Sequence, residues 1–453
     1  MLHSRRDALQ FLSMILKQQS LLRNFLRLAA VNVLSNLMVP LAGFIDVAFL
    51  GHLAEIHHLA GVALAAVLFN YIYWILNFLR MGTTGTTAQA VGRNDRDAVL
   101  LIGLRHGLIA LVLGLLILLL QQPIQTVGFW LLSATPAVKA SGIAYFDALI
   151  WSAPAHLLGF VLTGWFLGQG QSGKVLILSA VVSGTNVILD YWFIVRWGWG
   201  SAGAGAATAL SQYLMVLVGL LFCLDVRLKQ VQAVVDQLFN RSALKTVFAL
   251  NGEIMIRTFA LVSTFALFTN LSSSFGTVVL ATNALLLQVV AFAAYFIDGL
   301  AFATESMAGV LHGGRKPVGL RQLIAVSGGI SLCIGLLFSV AFITLPQVLF
   351  GLLTNHSNLL TQIPHYVFWL LPVLGFGLIA YMLDGYFLGL TQGRILRQSS
   401  VFATLLGFLP VAILAWQLQN VHLLWLALSL FMLTRALTLA LNVPSSLKSD
   451  SLK

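Results

Sequence analysis

Seven of the fourteen acidic residues fall within or at the ends of long apolar runs: Asp46, Asp147, Asp190, Glu253, Asp298, Glu305 and Asp384. A carboxylate at the centre of a bilayer costs roughly 3 kcal/mol or more, so each is a candidate for chemistry. Asn186 and Asp190, in TNVILDYWFIV, are four residues apart and share one helix face. Together they offer an amide and a carboxylate to one point. If that face meets Asp46, two carboxylates share a dry site, and such a pair takes up and releases a proton near physiological pH. The same oxygens suit a hard cation such as sodium. On its own, Asn186 with Asp190 reads as an interhelical hydrogen-bond pair. Asp46 follows Pro40 in VPLAGFIDVAFLGHL. Proline removes one helix hydrogen bond and crowds the carbonyl of Asn36 four residues earlier, which gives this helix a bending point. A bendable helix that carries a titratable group makes a switch.

In the second half of the chain, Glu253 and Arg257 are spaced i and i+4 with the acid N-terminal, the better orientation for a helical ion pair. They are expected to pair structurally. Asp298, Glu305 and Asp384 have no partner assigned by spacing, and each reads equally as a substrate contact or a structural pair. Asp147 lies near a span end and is expected to be wetted.

Other motifs carry less. GWGSAG at 198–203 satisfies GxGxxG, but no βαβ pattern surrounds it; its small residues suit close helix packing. No Walker lysine motif is present, nor any orderable Ser, His and acid triad. His57 and His58 are adjacent, and i, i+1 side chains on a helix diverge, so no metal site is expected. Cys223 and Cys333 lie in separate apolar runs and are read as packing residues. The tryptophans, among them Trp151, Trp165, Trp192, Trp197 and Trp199, read as membrane-interface anchors or packing residues. No cofactor is expected.

The elements that must position these residues are membrane helices. The chain is 59% hydrophobic and 9% charged, which does not describe a soluble surface. Twelve apolar runs of spanning length fall near 27–50, 59–80, 99–120, 143–167, 175–195, 202–224, 248–270, 278–303, 320–345, 365–390, 396–417 and 421–443. They are continuously apolar, without the alternation of barrel strands, so the fold class is an all-α integral membrane protein. The net charge of +11 is one-sided. Both tails and alternate loops (80–105, 174, 227–245, 315–321, 394–397) hold 22 of the 25 Lys and Arg; Lys139 and Arg196 lie opposite, and Arg257 within a span. That is the positive-inside pattern, which gives cytoplasmic termini and argues against nucleic acid as a partner. The basic first residues lack a small-residue cleavage site and read as an interfacial segment, with Met14 an alternative start to Met1.

The chain is duplicated. GWFLGQGQ at 164–171 matches GYFLGLTQ at 385–392 in five of eight positions, 221 residues apart, and the same offset carries Gly92 onto Gly313. Six spans preserve direction through the membrane, so the halves are parallel repeats about an axis along the membrane normal, as in transporters. The expected organisation is an N-terminal segment 1–26, an N-lobe 27–224, a linker 225–247, a C-lobe 248–443 and a tail 444–453.

Taken together, VPLAGFIDVAFLGHL, RMGTTGTTAQAVGRND, TNVILDYWFIV and WGSAGAGAATA resemble the multidrug and toxic compound extrusion (MATE) family across all twelve spans. LNGEIMIRTF, AYFIDGLAFATES and AYMLDGYFLG resemble its DNA-damage-inducible, DinF-type branch. The resemblance implies two six-helix bundles that exchange amphipathic or cationic organic compounds for protons or sodium. It maps an N-lobe coupling cluster onto Asp46, Tyr145, Asn186, Asp190 and Thr208. Other branches resemble one another in a C-lobe acid site in spans seven and ten; here Glu253 sits early in its span beside Arg257, which favours N-lobe coupling, by protons.

The expected function is therefore a proton-coupled multidrug antiporter in the bacterial inner membrane, a monomer, with Asp46 protonation and bending at Pro40 as the switch. A sodium-coupled antiporter is one alternative. A lipid or lipid-linked saccharide flippase is another, weakened because anionic headgroups need several cationic side chains and Arg257 is the one intramembrane arginine counted.

Overall fold

A computed structural model describes residues 2–53, 55–224, 228–351 and 357–449. Met1, linker residues 225–227 and tail residues 450–453, to which expectations attach, lie outside the described residues.

Among the described residues the regular structure is helical, with twelve helices long and apolar enough to cross a membrane. They are Ser20–Gly51, His57–Gly92, Arg96–Leu119, Pro136–Gly168, Ser172–Arg196 and Gly200–Leu221, then Arg241–Ser274, Thr277–Gly313, Pro317–Thr344, Asn358–Gly389, Gly393–Gln417 and Val421–Lys448. We number them spans one to twelve. Most outrun the apolar stretches that announce them, because a helix ends where its backbone is capped and not where the bilayer ends. Span two carries Arg80 in its interior, and span seven begins at Arg241, inside the expected linker. The linker also holds a short helix, Leu228–Val235. Arg105 of span three donates from Nε to the carbonyl of Leu238 at 3.2 Å and from Nη2 to that of Gln237 at 2.5 Å, satisfying carbonyls just past that helix.

The described chain forms two compact units, one of Leu34–Asn251 and one of Met1–Val33 with Gly252–Lys453. The division falls inside spans one and seven, where the lobes were expected to begin at 27 and 248.

The duplication is written into the backbone. Left-handed residues occur at Asn94 and Arg315, at Gly170 and Thr391, and at Gly198 and Gln419, each pair 221 residues apart. At the first two pairs the cap closes alike. Asn94 N–H donates to Val91 and Arg315 N–H to His312, while Gly170 and Thr391 donate to Leu167 and Leu388. These are the left-handed stops that end helices. Side-by-side packing repeats as well. A Cβ on Gly164 would sit 2.4 Å from the carbonyl oxygen of Arg80, and one on Gly385 would sit 2.5 Å from that of Ala301. Spans two and four, and spans eight and ten, thus meet backbone to backbone, the close approach that small residues permit in a membrane. Each half also has one π-helical turn in its fifth span, Tyr191–Arg196 and Ala403–Phe408.

Candidate functional site

In the first half, five side chains from four helices converge. Span five presents Asn186 and Asp190 on one face, 6% and 0% exposed, and Asp190 is the last residue before the π-helical turn. Such turns sit mostly at functional positions, because one residue is squeezed out of the i→i−4 ladder. Asn186 donates from Nδ2 to Thr208 Oγ1 of span six at 3.2 Å, and that hydroxyl donates to the carbonyl of Ala204 at 3.0 Å. Tyr145 of span four is buried and within hydrogen-bonding reach of Thr208. Gly205 permits this: a Cβ there would lie 2.6 Å from the Tyr145 carbonyl oxygen. The small-residue stripe of GSAGAGAATA is therefore packing, as expected, and it brings Tyr145 to Thr208.

Span one completes the group. It runs through Pro40 within one continuous helix, Leu2–Gly51. Ser183, on the same face of span five as Asn186 and Asp190, donates to the carbonyl of Met38 at 3.2 Å. Two turns further on, the carboxyls of Asp46 and Asp190 lie within hydrogen-bonding reach of each other. Two carboxyls bond only if one carries a proton, since ionised carboxylates are acceptors alone. No N–H or O–H donor among the described residues reaches either oxygen of Asp190.

The second half arranges charge differently. Asp384 of span ten accepts from two guanidinium groups through one oxygen, Arg257 of span seven and Arg435 of span twelve. Asp384 is 2% exposed, Arg257 6% and Arg435 0%. The Arg435 guanidinium also lies over the rings of Tyr381 and Phe431, 5.1 and 5.6 Å from their centroids, a cation–π arrangement. Asp298 of span eight is close enough for its field to act on Arg257 and Tyr381.

Two expectations are corrected here. Glu253 does not pair with Arg257. It meets Arg397 of span eleven at 2.9 Å, in a half-exposed bridge, while Arg257 turns inward, because a buried guanidinium gains more from a buried carboxylate than from a solvated one. Arg257 is also not the single intramembrane arginine. Arg435, counted above with the cytoplasmic side, sits in SLFMLTRALTLAL, whose apolar flanks were a readable signal. With both arginines held by Asp384, neither is a free cation for a headgroup.

Glu305 is buried on span eight where Gly389 packs against its backbone. Asp147, expected near a span end, lies eleven residues past the start of span four, where it is exposed and accepts from Gln125 Nε2 at 2.5 Å. Cys223 and Cys333 are unpaired.

The MatE family model matches twice, over residues 32–192 and 254–414, once in each half. DNA damage-inducible protein F of Escherichia coli (strain K12) is 34% identical over 91% of this chain and 90% of its own. A probable multidrug resistance protein NorM of Shewanella oneidensis is 25% identical over 59% of each. Among solved structures, a MOP superfamily transporter from Pyrococcus furiosus superposes with a TM-score of 0.86 at 19% identity, covering 96% of this chain and 97% of its own. An outward-facing multidrug resistance MATE family transporter superposes with a TM-score of 0.85 at 19% identity, with the same coverage. The duplicated six-span halves, the buried acids of the first half and the two family matches lead to one conclusion: the chain belongs to the MatE family, whose members are membrane transporters and not enzymes.

Proposed function

We propose that this protein is a secondary active antiporter that exports amphipathic, chiefly cationic, organic compounds in exchange for protons. The observation that carries the reading is the facing pair Asp46 and Asp190, within hydrogen-bonding reach of each other. An uncompensated acid pair attracts a cation, and a single proton relieves its repulsion. Relatives named for multidrug resistance support drug-like substrates. The basic-loop asymmetry supports cytoplasmic termini in a bacterial inner membrane, and the protein works as a monomer.

In the cycle, a proton entering from outside is taken up by the Asp46 and Asp190 pair. Tyr145, Asn186 and Thr208 hold the face of spans four to six against which span one rests. The proton replaces the repulsion between the two carboxylates with a shared hydrogen bond, span one is drawn to the face of span five and bends at Pro40, and substrate leaves. After the halves rock to the inward-open state, the proton passes to the cytoplasm and substrate rebinds. Membrane potential adds about 2.3 kcal/mol per charge per 100 mV to the proton gradient. Asp298 and Glu305 serve the second half as structural or substrate-contact groups.

The test is dye efflux from proteoliposomes with a pH gradient and a sodium gradient imposed separately. Proton coupling requires transport under the pH gradient alone. Transport driven only by sodium transfers the same oxygens to a sodium site. Transport of a labelled lipid under neither gradient replaces the reading with a flippase.

A further inference from the structure

At the end of the first half that bears the connection between spans one and two, Glu55, His57 and His58 gather. Their ligand atoms lie within 4.8 Å of one another. His57 Nε2 is 2.6 Å and His58 Nε2 3.8 Å from Glu55 Oε2. Adjacent histidines diverge in a helix interior, but these two open span two, and Glu55 lies two residues before its start. The ring centroids are 4.4 Å apart.

Each ring is held from behind. His57 Nδ1 meets Ser141 Oγ of span four at 2.7 Å. His58 Nδ1 accepts from the backbone N–H of Ser201 of span six at 3.3 Å and also lies 3.3 Å from Ser201 Oγ. Gly200 has a left-handed φ of 55°, and a Cβ there would come 2.5 Å from the His58 ring, so a bare backbone forms the floor under that ring. When His57 Nδ1–H donates to the Ser141 hydroxyl, its Nε2 lone pair is free to ligate; His58 reaches the same state by moving its proton to Nδ1 and donating to Ser201 Oγ in place of accepting from Ser201 N–H. A partner on the far ring nitrogen is the usual outer support of a metal-bound histidine.

We infer that Glu55, His57 and His58 form a site for a divalent transition metal of the zinc class. Two imidazole nitrogens and one carboxylate oxygen are the borderline donors that such ions select over magnesium or calcium. Three protein ligands plus water complete a tetrahedron whose ligand atoms stand roughly 3.3 Å apart, between the two spacings the cluster shows around Glu55. Both rings are partly exposed and Glu55 more so, so an ion enters from water. Ser141 precedes Tyr145 by one turn, and Ser201 precedes Thr208 by two. A bound ion therefore braces spans two, four and six at the faces that carry the coupling cluster.

The experiment uses untagged, chelator-treated full-length protein in detergent micelles. Zinc chloride is titrated by calorimetry and thermal unfolding is followed in parallel; magnesium chloride is the control. Wild type is expected to bind one zinc ion saturably in the micromolar range and to unfold at a higher temperature with it. The pair His57→Ala with His58→Ala is expected to lose both effects. Glu55→Gln, at an exposed position that tolerates change, is expected to weaken zinc binding at least tenfold. No saturable zinc binding by wild type, equal response to magnesium, or binding undiminished in Glu55→Gln and in the histidine pair would overturn the assignment, leaving the cluster a plain Glu55–His57 hydrogen bond.

Discussion

The two halves share a backbone and differ in how they treat buried charge. In the first, Asp190 faces Asp46, and no cation among the described residues pairs with either. In the second, one oxygen of Asp384 holds both Arg257 and Arg435. At the 221-residue offset, Asp190 corresponds to Val411, Asn186 to Gly407 and Asp384 to Thr163. The helix stops and glycine crossings were kept in both copies, whereas the ionisable residues were not. A carboxylate clasped by two guanidinium groups ties three helices of its bundle together. A carboxyl that faces another carboxyl is the arrangement on which the proposed proton coupling rests. The duplicated frame is shared, and the two halves differ in buried charge: one sets acid against acid, the other acid against two cations.

The largest test of this contrast exchanges the fates of its acids. Asp384→Ala removes the carboxylate that both buried guanidinium groups hold, a change expected to cost about 3–5 kcal/mol and to appear as a marked fall in Tm in detergent. Asp46→Asn is expected to leave Tm nearly unchanged and to abolish pH-driven dye efflux in everted vesicles. A stable Asp384→Ala protein, or an Asp46→Asn protein that still transports, breaks the comparison. Next in size are the paired crossings. Gly164→Val and Gly385→Val each force side-chain atoms against a backbone carbonyl, with an expected loss of about 1–3 kcal/mol; a large difference between them in thermal unfolding would show that the two frames are not equivalent. Pro40→Ala is expected to slow turnover several-fold with little effect on Tm, read from efflux rates at saturating dye. The smallest effect concerns the left-handed stops. Thr391→Gly relieves a strained φ of 55° and is expected to stabilise by about 1 kcal/mol, whereas Gly170→Thr costs a similar amount.

Much of this was legible in the sequence. Apolar run lengths gave twelve helices, and one octapeptide match gave an offset that the backbone obeys at three separate caps. The i, i+4 spacing of Asn186 and Asp190 put them on one face, and the family motifs supplied Tyr145 and Thr208. Charge partners were harder to read. Glu253 and Arg257 are neighbours along a helix, yet long side chains choose partners across helices, and a pair 127 residues apart such as Arg257 with Asp384 leaves no local trace. Arg435 was readable from its apolar flanks but was hidden by its nearness to a basic tail. The His57, His58 and Glu55 grouping depended on the turn between two spans, where helix periodicity no longer predicts direction.

The π-helical turn after Asp190 has a further effect. Trp197 N–H reaches back five residues, to the carbonyl of Trp192, so the wheel on which residues are ordinarily plotted slips by roughly 100° at that place. Residues beyond it face a different neighbour from the one their spacing suggests. A label-by-label scan of solvent or lipid contact along span five should therefore run in phase from Ser172 to Asp190 and then jump, with Phe193 and Ile194 shielded where an unbroken helix would turn one of them outward.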